Sequence, residues 1–181
     1  REAEEELQEM HADFFSCVQE GRVFDAVEAL EEEGVDVDCV LAGGNTALHE
    51  ACSLGCFEMA EVLVSQYGAE VDAAQGSTGM TPLHVACAQD KVLLVQWLVQ
   101  RGGANPMTQC WQGNTVFHYV CQAGNLMLTR WFVELGSVDV NVSNIDGFTA
   151  LHMACKHGFT EIASYLVECG ADPYRQNAYG M

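Results

Sequence analysis

Four His–Cys pairs are the residues best equipped for chemistry: His49 with Cys52, His84 with Cys87, His118 with Cys121 and His152 with Cys155. Three residues apart on a helix, both side chains share one face. A thiol beside an imidazole base is the raw material of a cysteine nucleophile, and the same two ligand types begin a zinc site. The surroundings argue against both. Each pair follows a threonine, giving Thr81-Pro82-Leu83-His84-Val85-Ala86-Cys87 and variants of it that start at Thr46, Thr115 and Thr149. Successive threonines are 35, 34 and 34 residues apart. One catalytic centre needs one such set. Four sets at a near-constant period mark a repeated supersecondary unit in which histidine and cysteine are scaffold.

No other catalytic set is visible. Of six histidines, only His11 and His157 lie outside the motif. Cys52 and Cys56 are four apart but lack companion ligands for zinc. There is no Gly-x-Ser-x-Gly, phosphate loop, dinucleotide fingerprint or His-Glu-x-x-His. The reading is a non-enzymatic chain with no catalytic residue, no cofactor and no metal site.

The elements that must carry the motif can be read from the same register. A glycine two residues before each threonine (Gly44, Gly79, Gly113, Gly147) makes a turn. Thr46, Thr81, Thr115 and Thr149 then open a first helix, and Pro82 suits the first turn of one. Each first helix stops near Gly55, Asp90, Gly124 or Gly158. Second helices are predicted over 57–66, 92–101, 126–135 and 160–169. The pairs Leu63/Val64, Leu98/Val99, Phe132/Val133 and Leu166/Val167 keep register and should bury against the adjacent repeats. Val62, Trp97, Trp131 and Tyr165 are read mainly as packing between neighbouring outer helices. A Gly-led turn closes each unit, and the one-residue departures at Gly102-Gly103 and Ser137-Val138 are assigned to loops.

The motif, its period and turns such as Gly68-Ala69-Glu70-Val71-Asp72 resemble those of ankyrin-repeat proteins. The resemblance implies an all-α solenoid of about five stacked helix-turn-helix units with β-hairpin fingers. It divides the chain into an acidic helical lead-in (1–10), a degenerate N-terminal capping repeat (11–41) and repeats at 42–74, 75–108, 109–142 and 143–175. Residues 176–181 begin a further finger, so a following repeat or cap is expected, one that covers the helix faces around Ile162 and Leu166. The resemblance also implies that His49, His84, His118 and His152 bond to the motif threonines and to backbone near the next repeat. Asp139-Val140-Asn141 is similar to a hairpin asparagine that is hydroxylated in some members, although a structural turn role for Asn141 is the simpler reading.

The chain has 181 residues, 49% of them hydrophobic, and a formal charge of −19. Fourteen of the 26 acids and two of the seven bases fall in residues 1–40. Such a balance disfavours nucleic acid and anionic lipid, which need Lys and Arg. No stretch reaches the ~20 apolar residues of a membrane span. Nine cysteines recur partly at one repeat position. Stacked units are ~8–10 Å apart, too far for a disulfide. The motif cysteines are therefore read as small core residues, and the compartment as reducing: intracellular, cytoplasmic or nuclear.

Function should then lie in variable positions beside the motif, on a concave surface of fingers and first helices. By register these include Ala42, Gly43, Asn45, Ser53, Leu54, Ser77, Thr78, Ala88 and Ala123. The candidates chosen as partner-binding are Met80, Gln89, Trp111, Gln112, Asn114, Gln122, Ile145, Asp146, Phe148, Lys156 and His157. Met80, Trp111, Ile145 and Phe148 are large and apolar where solvent is expected, and large aromatic anchors dominate binding energy. The partner expected is a protein or peptide segment with an apolar anchor and a basic flank. Two other readings stay open: an ankyrin segment of a larger enzyme or channel, and an acidic inhibitor acting through residues 1–40.

Overall fold

The structure is a computed structural model that describes residues 2–41 and 43–181; Ala42 lies outside the described residues. Among the described residues ten α-helices pair in chain order. They are α1 (Glu2–Gln19) with α2 (Val23–Glu31), α3 (Ala47–Leu54) with α4 (Phe57–Ser65), α5 (Pro82–Ala88) with α6 (Val92–Trp97), α7 (Val116–Ala123) with α8 (Leu126–Glu134), and α9 (Ala150–Lys156) with α10 (Thr160–Glu168). Three regular pairs confirm the predicted second helices to within a residue, and α1 shows that the lead-in is not a separate element. Its acidic residues run straight into Phe14, Phe15 and Val18, all buried. Good helix formers without an apolar stripe simply extend a helix whose other end is anchored.

The pair α5/α6 departs from expectation. The extra residue near Gly102-Gly103 is not absorbed in a loop: Leu98–Gly102 form a π turn that continues α6. The N–H of Gly103 donates to the carbonyl of Leu98, one residue further than an α-helix allows. Leu98, at the start of this turn, is fully buried in register with Leu63, Phe132 and Leu166; of the valines that follow them, expected to be buried too, Val64, Val99 and Val133 are only partly buried and Val167 is exposed.

First helices pack on one another in the order α1, α3, α5, α7, α9, and second helices form a looser outer layer. One continuous core runs between the layers, with Phe14, Leu48, Met59, Leu83, Leu98, Phe117, Phe132 and Leu166 fully buried. The predicted β-hairpin fingers are tight turns without strands among the described residues. Each closes through two backbone hydrogen bonds, such as Gln75 N–H to Met80 O at 2.8 Å with Gly79 N–H to Gln75 O at 2.7 Å, or Asn144 N–H to Phe148 O at 2.9 Å with Gly147 N–H to Asn144 O at 3.0 Å. A single bridge, Ser143 with Thr149, is all the β-pairing they show. No described helix is long and apolar enough to cross a membrane.

Candidate interaction surface

The motif histidines work as clamps between units. Each is the third residue of a first helix and accepts the backbone N–H of its threonine on Nδ1, at 3.2, 3.1, 3.1 and 3.1 Å for His49, His84, His118 and His152. The threonine hydroxyl lies 2.8–3.0 Å from the same nitrogen. An Nδ1 that accepts leaves the proton on Nε2. That N–H donates to the carbonyl of Met80, Asn114, Phe148 or Met181, one finger further on, at 3.0–3.1 Å. At His49, His84 and His118 both ring nitrogens are thus committed to neutral imidazole. Burial pushes His84 down to about 4 and lowers His49 and His118 in the same direction. A ring with no free lone pair has nothing to offer as a base or a ligand.

The cysteines divide. All nine are free. Burial raises Cys52, Cys87 and Cys121 far above the ordinary thiol range, so they are inert core atoms. Cys155, expected in the core, is exposed. No described element packs over that side of α9, and Phe148, Leu151, Cys155, Lys156, Val167 and Met181 line an open groove of about 840 Å³ there. Ile162 and Leu166, expected on that open face, are instead buried within their own unit.

The finger tips are tied to one another by a ladder of single backbone bonds. Gly76 N–H donates to Gly44 O at 3.4 Å, Trp111 to Thr78 at 3.0 Å, Ile145 to Gln112 at 3.1 Å and Ala178 to Asp146 at 2.9 Å. The first rung is displaced by one residue and the longest, as the 35-residue spacing requires. Each finger glycine is roofed by the next finger. A Cβ on Gly79 (φ +69°) would stand 2.3 Å from Cδ1 of Trp111, and one on Gly113 (φ +75°) 2.9 Å from the nitrogen of Ile145. The Cγ–Cδ1–Nε1 side of the indole therefore lies against Gly79, yet Trp111 is still 62% exposed and Ile145 72%.

The partner-binding candidates do not all reach this surface. Trp111, Gln112, Ile145 and Asp146 lie exposed along the finger row; Gln89, Gln122, Lys156 and His157 lie exposed at the far ends of first helices. Met80 and Phe148 are only half-exposed, and Phe148 packs against the core. Phe148 meets Tyr179 at 5.9 Å and lies under the Lys156 ammonium at 5.8 Å. Asn114 is a correction: it is 6% exposed, and its Oδ1 accepts from Asn144 Nδ2 at 2.8 Å. Gln75 donates to Asn45 in the same way two interfaces earlier. Phe148 replaces the acceptor at the following interface, and the Nδ2 of buried Asn177 has no partner. Asn141 is likewise structural, donating to Gly170 O and accepting from Asp172 N–H, both at 2.9 Å. Its acceptor role repeats that of Asp38 and Asp72.

Sequence reasoning missed Tyr179, 69% exposed, and the outward Leu93 and Met127. The signal was present for the latter two: they occupy the second residue of α6 and α8, where α4 and α10 carry Glu58 and Glu161.

Comparison with known proteins agrees with this geometry. The profile for ankyrin repeats, three copies long, matches residues 14–110 and 89–177. Protein phosphatase 1 regulatory subunit 27 of Mus musculus is 30% identical over 89 residues, 49% of this chain and 56% of the relative. BCL-6 corepressor-like protein 1 of Homo sapiens is 34% identical over 84 residues, 46% of this chain and 4% of that protein. The matches thus span little more than half of one relative and a small fraction of the other. Ankyrin repeats are typically non-catalytic protein-interaction modules, and with the profile covering nearly the whole length, this chain belongs to the ankyrin-repeat family.

Proposed function

We propose that this chain is a non-enzymatic regulatory or adaptor module of the cell interior that binds another protein through its finger tips and the adjoining first-helix surface. The observation that carries this reading is the pair Trp111 and Ile145. They hold equivalent places in consecutive fingers, are held by backbone bonds beneath them, and leave most of their apolar surface in solvent. A pre-positioned aromatic loses little freedom on binding. Gln112 and Asp146 beside them supply hydrogen bonding, while Phe148 and Lys156 extend the site toward α9. The partner is a protein segment with an apolar anchor; the −19 charge favours a basic flank. One relative is by name a regulatory subunit, which favours regulation of another protein over an activity of the chain itself.

The test is affinity capture from cell lysate with the wild type and with Trp111→Ala/Ile145→Ser. The wild type retains a partner that the double variant loses while its melting temperature stays within a few degrees. Capture of the same proteins by both would sink the assignment.

A further inference from the structure

The finger row has a pitch and a set of hydrogen-bond donors that select the shape of its ligand. Its tips form one continuous ridge. Ile145 lies on the finger of Trp111: its N–H donates to Gln112 O, and a Cβ on Gly113 would stand 3.1 Å from its Cγ2. Ala178 N–H donates in turn to Asp146 O. Beside Ala178, the Tyr179 ring stands 5.9 Å from that of Phe148. Trp111, Ile145 and Tyr179 thus mark three consecutive fingers, and all three are exposed.

Stacked units stand ~8–10 Å apart. A polyproline II chain repeats every three residues, about 9 Å, so every third side chain meets a finger. An extended strand presents one face at intervals of ~7 Å and falls out of step. A helix stays in step only with every seventh residue, ~10.5 Å. Hydrogen bonding separates the two that fit. The ridge offers three uncharged donors: the indole N–H of Trp111, the hydroxyl of Tyr179 and the amide of Gln112, whose Oε1 already accepts from Asn114 Nδ2 at 3.4 Å. None of the three donates to another described residue. A helix spends its carbonyls on its own backbone and leaves these donors idle. A polyproline II chain has no internal hydrogen bonds and presents every carbonyl. Charge agrees, because Asp146 is the only charged residue in the tips 77–80, 111–114, 145–148 and 178–181. We propose that the finger row docks an uncharged, proline-rich segment of another protein in the polyproline II conformation. Apolar side chains three residues apart sit on Trp111 and Ile145, and the segment's carbonyls accept from Trp111, Gln112 and Tyr179. This ligand class rests on the finger-tip site proposed above.

The experiment titrates three uncharged synthetic peptides into the nitrogen-15-labelled chain: a proline-rich one with leucine at every third position, its counterpart with leucine at every fourth, and a helical alanine- and glutamine-rich one with leucine at every seventh. The Trp111 indole N–H signal is identified by its absence from Trp111→Phe. The first peptide should shift that signal and bind the wild type more tightly than either other peptide does. It should bind Trp111→Phe roughly 2–10-fold more weakly, through loss of one hydrogen bond. It should bind Trp111→Ala/Ile145→Ser at least about tenfold more weakly, through loss of the anchors. Equal binding of the every-fourth peptide, or no binding of the first at millimolar concentration, would overturn the polyproline II assignment. A helical peptide that outcompetes the first on the wild type and is lost by the double variant would keep the finger-tip site and overturn its ligand class. Equal binding of the first peptide to the double variant would put it off the fingers and overturn the assignment as well.

Discussion

At the scale of single residues, the decisive fact is that four histidines are used up in holding the fold together. The resemblance to ankyrin repeats implied both halves of the clamp, the bond to the threonine and a bond to backbone near the next repeat; which carbonyl accepts needed the stack. Asn114 was unreadable for the same reason: its burial depends on Asn144, 30 positions later, reaching back to it. The clamp makes a pH prediction. Burial holds His84 near 4 in the fold, while the unfolded ring titrates near ~6.5. The unfolded chain then binds more protons between these values. The stability this group contributes is complete above about pH 6.5 and is lost as pH falls toward 4. Between pH 7 and pH 5, His84 should cost the fold up to about 2 kcal/mol. His49 and His118 act in the same direction. A proton–carbon NMR titration of His84 should show a neutral ring at pH 5; a charged ring there would show that the clamp is not made.

At the scale of elements, helix pairs were legible because apolar positions recur with the motif, and helix ends because turn glycines bracket them. The π turn was not legible. An added residue can be taken up by a loop or by a widened helix turn, and spacing does not choose between them: Leu63 to Gly68 spans as many residues as Leu98 to Gly103, yet α4 ends without a π turn. The finger ladder was legible as turns and not as contacts, since the row of glycines does not say what roofs them. Gly79→Ala tests this directly. Gly68 has the same φ, 69°, but nothing within 4 Å of its Cβ direction, whereas a Cβ on Gly79 strikes the Trp111 ring. Gly68→Ala should cost about 1–2 kcal/mol for the left-handed backbone. Gly79→Ala should cost distinctly more in urea denaturation and displace the Trp111 fluorescence. Equal costs would mean that the indole does not rest on the turn.

At the scale of the whole molecule, charge is the main lever. Residues 1–40 carry a net −12 of the −19, and the basic residues are too few to offset it. Raising salt from about 20 mM to about 0.5 M should therefore raise the melting temperature, by screening this self-repulsion; a falling or flat response would show that the acids are locally compensated. The solenoid architecture was legible from the period. Which apolar residues would be left outward was only partly so: Trp111 and Ile145 were found by register, while Met80 and Phe148 are only half-exposed and Cys155 turns outward. What the fold leaves over, after clamps, ladder and core are subtracted, is the exposed finger row. The most direct measurement of its role is the equilibrium affinity of a captured partner for the wild type and for Trp111→Ala/Ile145→Ser at matched stability. Loss of one anchoring aromatic predicts a Kd raised about 30-fold or more; a Kd unchanged within about twofold would contradict the finger-tip site.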